Sequence, residues 1–206
     1  HSKTELSPEC VQITRRFFNQ LAEILPVFVI CGNHDINLNN KSRLDSLTPI
    51  LHGIDNIHYM KTTRHYQFNN LIFGVTAVQD KSILPALHKS ELPEGSTQIA
   101  LFHGTVNKSE TDIGFKLTSN KFLVKDFKGY DLSMLGDIHK HQFLNEAKTI
   151  AYSSSLIQQN HGELATGHGF ILWDIPSRKG EFIELENEYG YFTVKIDQGK
   201  IVTDIT

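Results

Sequence analysis

The chain lacks most of what would place it outside a cell or in a membrane. Only two of its 206 residues are cysteine, Cys10 and Cys31, too few for a disulfide framework. Cys31 closes an apolar run that reads as a buried strand, so both thiols are expected to be reduced and to sit in or near the core, in a cytoplasmic, nucleoid or nuclear setting. No stretch reaches about 18 consecutive apolar residues and no charged-then-apolar leader is present, which leaves neither a membrane span nor a signal peptide to expect. An excess of one charge is also missing. Lys and Arg total 20 against 23 Asp and Glu, a net charge of −3 and a pI near 6.4. Charge alone therefore gives no footprint for nucleic acid, although a bound pair of divalent cations would change the local field. There is no internal repeat and no low-complexity tract. There is no initiator methionine either: the chain opens His1-Ser2-Lys3-Thr4.

What remains is the composition of a globular domain, 39% hydrophobic and 21% charged. It is enough for one well-buried core, or for a domain with part of a second. Ser7-Pro8-Glu9 combines a cap residue, proline at the first helical position and an acidic first turn. Val11, Phe17, Phe18, Leu21 and Ile24 then recur at helical spacing. Val27 to Cys31 is a short continuous apolar run of the kind found in strands buried on both faces. A short helix is predicted over 42–52, and a second, interrupted by Pro85, over 81–92. Strands are predicted over 57–60, 65–68, 71–78, 98–102, 130–135, 150–153, 169–175 and 181–186, with a hairpin turn at Asn69-Asn70 and a terminal hairpin around Asp197-Gln198-Gly199. Helices and strands alternate early and strands dominate late, which predicts an α/β class with a mixed sheet.

Eleven histidines is a high count, and their positions carry the information. Three apolar segments end alike: Cys31-Gly32-Asn33-His34-Asp35, Phe102-His103-Gly104, and Leu135-Gly136-Asp137-Ile138-His139. Ligands of α/β sheets collect beyond the carboxyl ends of strands, so these three ends are expected to converge. Imidazole nitrogen with carboxylate and amide oxygen suits borderline divalent ions, and a glycine beside each donor permits close backbone approach. Singly, His103 or the Asp137–His139 turn is as easily structural; the three together, in this order, point to a metal site.

Gly32-Asn33-His34-Asp35 resembles the GNHD motif of the calcineurin-like metallophosphoesterases, His103-Gly104 their later single-histidine motif, and Gly136-Asp137-Ile138-His139 their final G-H-x-H motif. The continuation through Lys140-His141-Gln142, Tyr152-Ser153-Ser154-Ser155-Leu156 and Gly169 to Ile175 is similar to the SbcD-type branch, which contains double-strand-break-repair nucleases that pair with an SMC-like ATPase. The resemblance spans roughly residues 1–186. It implies a four-layer αββα sandwich of two mixed sheets flanked by helices, with residues 1–188 forming the phosphoesterase domain and 189–206 a terminal hairpin or the start of a capping domain.

It further implies two divalent ions, Mn²⁺ foremost and Fe²⁺, Zn²⁺ or Mg²⁺ otherwise. Asn33 and His103 would hold the second ion and His139 the first. His34 would stabilise the transition state or protonate the leaving oxygen, with Asp35 orienting its ring. The ions would polarise the phosphoryl oxygen and activate the attacking water. Asp137 stands where the family has the first histidine of its last motif, a change that suits a harder ion. The family's opening D-x-H motif is not in the sequence. His1 would then be the last residue of the following motif, helping to position His34 or the leaving group, and the chain as given is expected to be inactive for want of ligands.

Ser153, Ser154 and His141 are candidates for substrate contact, although a polar turn and an exposed histidine account for them equally well; Lys61 and Lys140 are weaker candidates. The expected activity is metal-dependent hydrolysis of DNA phosphodiesters, exonucleolytic or endonucleolytic, in repair or replication. The expected partners are DNA, an SMC-like ATPase and a second copy of the chain in a homodimer. A small-molecule phosphatase or cyclic-nucleotide phosphodiesterase is the alternative on the same motifs, and a non-catalytic scaffold is a second.

Overall fold

The computed structural model describes residues 6–40, 42–118 and 121–203; His1 lies outside them. Helix α1 spans Pro8–Ile24, with the Ser7 hydroxyl accepting from the Cys10 amide at 3.2 Å as its cap. Strand β1 (Val27–Val29) follows directly and pairs in parallel with β2 (Ile57–Tyr59), the short helix α2 (Leu47–Leu51) lying between them in sequence. Val11, Phe18, Leu21 and Ala22 of α1 pack with Leu47, Ile50 and Leu51 of α2 over Val27 and Val29. Arg15 donates to the carbonyls of Ile50 (2.6 Å) and His52 (2.9 Å), satisfying oxygens that the end of α2 leaves unpaired.

The larger sheet has six strands in the order β3 (Arg64–Phe68), β4 (Leu71–Thr76), β5 (Thr97–His103), β6 (Leu132–Gly136), β8 (Ile150–Tyr152) and β7 (Gln142–Phe143). The central four are parallel and both edges antiparallel. The alternation of side chains divides its residues between two cores. Phe73, Val75, Ile99 and Leu132 face the β1–β2 pair, joined by Phe28, Ile30 and Met60. Ala100, Phe102, Leu135, Ile150 and Tyr152 face the opposite side. An antiparallel hairpin, β9 (Gly169–Asp174) with β10 (Lys179–Glu184), and a small exposed one, β11 (Ile196–Asp197) with β12 (Lys200–Ile201), complete the described chain. The Gln198-Gly199 turn of the latter has positive φ at both residues, 45° and 76°, as tight two-residue hairpins require.

The expectation of a helix-flanked four-layer sandwich is overturned. The described residues contain two α-helices, both before residue 52, and both on the β1–β2 side. The far face of the six-stranded sheet is covered by coil and by the 3-10 turn at Val124–Phe127, which bring Ile83, Val106, Phe122 and Phe127 onto Phe102 and Tyr152. The helix predicted over 81–92 is where this difference arises. Side chains take up the backbone groups there in place of helical bonds: the Leu84 amide donates to Thr76 Oγ1, the Leu87 amide to Gln98 Oε1, and the Tyr130 hydroxyl donates to the Leu84 carbonyl. Pro85 supplies no amide, and only Lys89–Glu91 forms a 3-10 turn. The helix predicted over 42–52 contracts to its last turn, and β7 was not anticipated.

No helix among the described residues is long and apolar enough to cross a membrane. Lys61 is engaged internally, 2.6 Å from the Asp45 carboxylate. Burial alone would raise the Asp45 carboxyl, but Lys61, Thr48 and Tyr59 outweigh it and hold it at about 2. Its ordinary value is about 3.9, so the stability it contributes is complete above about pH 4 and lost as pH falls towards 2. Asp45→Asn is therefore expected to flatten the acid limb of the stability profile over that window, read by urea midpoints at successive pH values. An unchanged limb would place the acid sensitivity elsewhere.

Candidate metal centre

The carboxyl ends of β1, β5 and β6 meet, and with them three donors from distant parts of the chain. Asn33 Oδ1 lies 3.2 Å from His103 Nε2, His103 Nε2 lies 3.7 Å from Asp137 Oδ1, and Asn33 Nδ2 lies 3.5 Å from the same carboxylate oxygen. The Asn33–His103 contact joins the two sheets. His103 and Gly136 are register partners in β5 and β6, and the imidazole occupies the space that two missing side chains leave. A Cβ on Gly136 would sit 2.8 Å from His103 Nδ1, and one on Gly32 would sit 3.0 Å from His103 Cε1. Glycine on either side of the ring is what lets it reach Asn33.

The loops carrying these donors are tied from beneath. Tyr152, fully buried, donates its hydroxyl to the Gly104 carbonyl at 2.7 Å and accepts from the Val106 amide at 2.9 Å. That fixes the turn after β5, from which the Thr105 hydroxyl donates to Asp137 Oδ2 at 2.8 Å. Asp137 itself has φ +100°, a left-handed conformation costly for a side chain with Cβ and characteristic of sites where the surroundings dictate geometry. Burial lowers the His103 pKa, the Asp137 and Asp35 carboxylates opposing it, which favours the neutral imidazole that a metal requires.

The donor set fits one divalent ion. Ligand distances near 2.1 Å place neighbouring donors about 3 Å apart, and the observed separations of 3.2 to 3.7 Å lie close to that spacing. Among the described residues no group of three or more His, Cys, Asp or Glu is arranged to hold a metal, and it is the Asn33 amide oxygen that completes this set.

His139 is held by a carboxylate. Its Nδ1 lies 2.8 Å from Glu163 Oε1, a carboxylate whose side chain is only 8% exposed and which also accepts from Asn160 Nδ2 and the Gln159 amide. His34 is exposed. Asp35 accepts from the Gly32 amide at 2.8 Å and gives its backbone carbonyl to the Ser46 amide, so it shapes the loop that presents Asn33 and His34. Ser154 donates to the His139 carbonyl at 2.7 Å, and the Ser153 hydroxyl to the Ser154 carbonyl at 3.3 Å. His141 is engaged within the chain: its Nδ1 donates to the Tyr152 carbonyl, its ring stacks on Phe182 at 4.3 Å, and burial lowers its pKa. Lys140 is engaged by Glu110.

Sequence reasoning missed Glu163, Thr105 and Tyr152. It also missed His168, which is buried and bridges Ser155 Oγ and the Leu164 carbonyl. Nothing in the spacing of these residues marks them; their roles arise from long-range closure. Gln158 is buried and accepts from the Tyr191 amide.

No family model matches the chain. It is 46% identical over 211 aligned residues to an uncharacterized protein of Acanthamoeba polyphaga mimivirus. The match covers 98% of this chain and 16% of that protein, so the chain spans about one-sixth of the length of the curated relative it matches.

Proposed function

We propose that the chain is part of a metal-dependent phosphodiester hydrolase of the calcineurin-like superfamily that cuts DNA in repair or replication. The observation that carries this reading is the convergence of Asn33, His103 and Asp137 at three strand ends, with His103 seated between Gly32 and Gly136. A scaffold has no need of neutral imidazole, amide and carboxylate donors at ligand spacing beside an exposed histidine. Asn33, His103 and Asp137 would hold one divalent ion, of which Mn²⁺ fits the mixed nitrogen and oxygen donors. Such an ion supplies charge stabilisation at a phosphoryl oxygen and lowers the pKa of water.

The chain's own residues do the rest. Thr105 and Tyr152 keep Asp137 and the Gly104 turn in place, and His34 faces solvent where a leaving oxygen would be protonated. DNA and an SMC-like ATPase remain the proposed partners of the complete enzyme.

The test is an assay of this chain, and of the chain extended at its amino end, on a single-stranded oligonucleotide and on a chromogenic phosphate monoester with Mn²⁺. Manganese-dependent release of nucleotides by the extended polypeptide, with little monoester cleavage, is the expected result. Monoester cleavage alone would make it a phosphatase, and activity on neither would leave the scaffold reading.

A further inference from the structure

Beside the donor cluster, a cleft of about 300 Å³ opens between the loop 111–115 and the loop 160–163. Asp137 and Ile138 line its floor. One wall is Asp112, Ile113 and Phe115; the other is His139, Asn160 and Glu163. The two walls differ in a way that suggests an occupant.

On the second wall the Glu163 and Asn160 side chains are taken. Glu163 accepts from His139, Asn160 and the Gln159 amide, and the Asn160 carbonyl oxygen accepts from the Gly162 amide. On the first, Phe115 is 62% and Ile113 76% exposed, although both line a cavity. Asp112 between them makes no hydrogen bond among the described residues, yet is partly desolvated. An apolar face and an acceptor-only group on one wall fit a flat ring that carries hydrogen-bond donors at its edge.

We propose that this cleft takes an unstacked guanine base of the nucleic-acid strand whose phosphate lies at Asn33, His103 and Asp137. Phe115 stacks on its face and the Asp112 carboxylate accepts from its edge. Aromatic side chains serve any base in this way. The carboxylate adds selectivity, because it can only accept and guanine alone among the four bases presents two adjacent N–H donors on its pairing edge. Adenine offers an amine beside an acceptor nitrogen, which the carboxylate repels. The inference rests on the nucleic-acid reading for the reason a base lies there, but binding in the cleft does not require hydrolysis.

The experiment is a titration of the ¹⁵N-labelled chain with GMP, AMP and ribose 5-phosphate in the presence of EDTA. GMP is expected to shift the amide resonances of Thr111–Phe115 and Gly162–Glu163 and to bind about tenfold more tightly than AMP. Phe115→Ala should weaken GMP about tenfold, the loss expected for one stacking contact, and Asp112→Asn should abolish the preference over AMP. Among the described residues neither side chain hydrogen-bonds to Asn33, His103 or Asp137, whose contacts are with one another and with Thr105, so each variant keeps the metal cluster. GMP shifts that avoid these loops, equal binding of the two nucleotides, or variants that bind as the parent does would overturn the proposal. Oligonucleotide cleavage without GMP in the cleft sinks this inference alone, whereas GMP in the cleft without any phosphodiesterase activity sinks the proposed function and leaves the subsite.

Discussion

His34→Ala is expected to lower the rate of phosphodiester cleavage by about 10²- to 10⁴-fold, the usual contribution of a positioned acid or base, while leaving divalent-ion binding unchanged. The two readouts separate because of where the residue sits. Asn33, one position earlier, turns its amide towards His103 and Asp137, whereas His34 is exposed. The loop does not depend on it, since Gly32, Asp35 and Ser46 close the turn among themselves. The comparison is made in the same assay as the proposed activity, with ion binding measured beside turnover. Loss of the ion would make His34 a ligand, and unchanged turnover would remove it from the chemistry.

The second large effect concerns a residue with no functional group. Gly136→Ala is expected to weaken Mn²⁺ binding by about 10- to 100-fold, the range seen when a group that orients a ligand is removed. Its φ is not among the positive values, so the backbone of β6 tolerates alanine. The added methyl, however, falls 2.8 Å from His103 Nδ1, closer than real Cβ contacts come, and the ring must leave its slot. Moving the ring breaks the 3.2 Å approach to Asn33. A variant that unfolds in urea like the parent yet has lost the ion is the predicted outcome. Undiminished affinity would show that His103 does not need this position to bind.

Local patterns made the carboxyl ends of β1, β5 and β6 legible, because each is an apolar run stopped by glycine and a polar donor. That is why Asn33, His103 and Asp137 could be named before their distances were known. The cap at Ser7, the hairpin at Asn69-Asn70 (φ 53° at Asn69) and the terminal turn at Gln198-Gly199 were legible for the same reason: each is decided by residues within a few positions.

The outer layer was not legible. A stretch such as 81–92 has helical composition, but Thr76, Gln98 and Tyr130, from three other segments, claim its backbone groups. The resemblance to a phosphoesterase domain implies two helical layers, where the described residues form one helical layer and one of coil. The pairing of His139 with Glu163, 24 residues further on, was hidden in the same way, since only the closure of the loop 155–168 around buried His168 brings the two together.

Whether Asn33, His103 and Asp137 form one ion site is read by titrating the chain with Mn²⁺ and following the free-ion electron paramagnetic resonance signal. About one equivalent is expected to bind per chain, and to be lost in His103→Ala and in Asp137→Ala at unchanged urea midpoints. No binding by the parent chain, or binding that both substitutions leave intact, would contradict it.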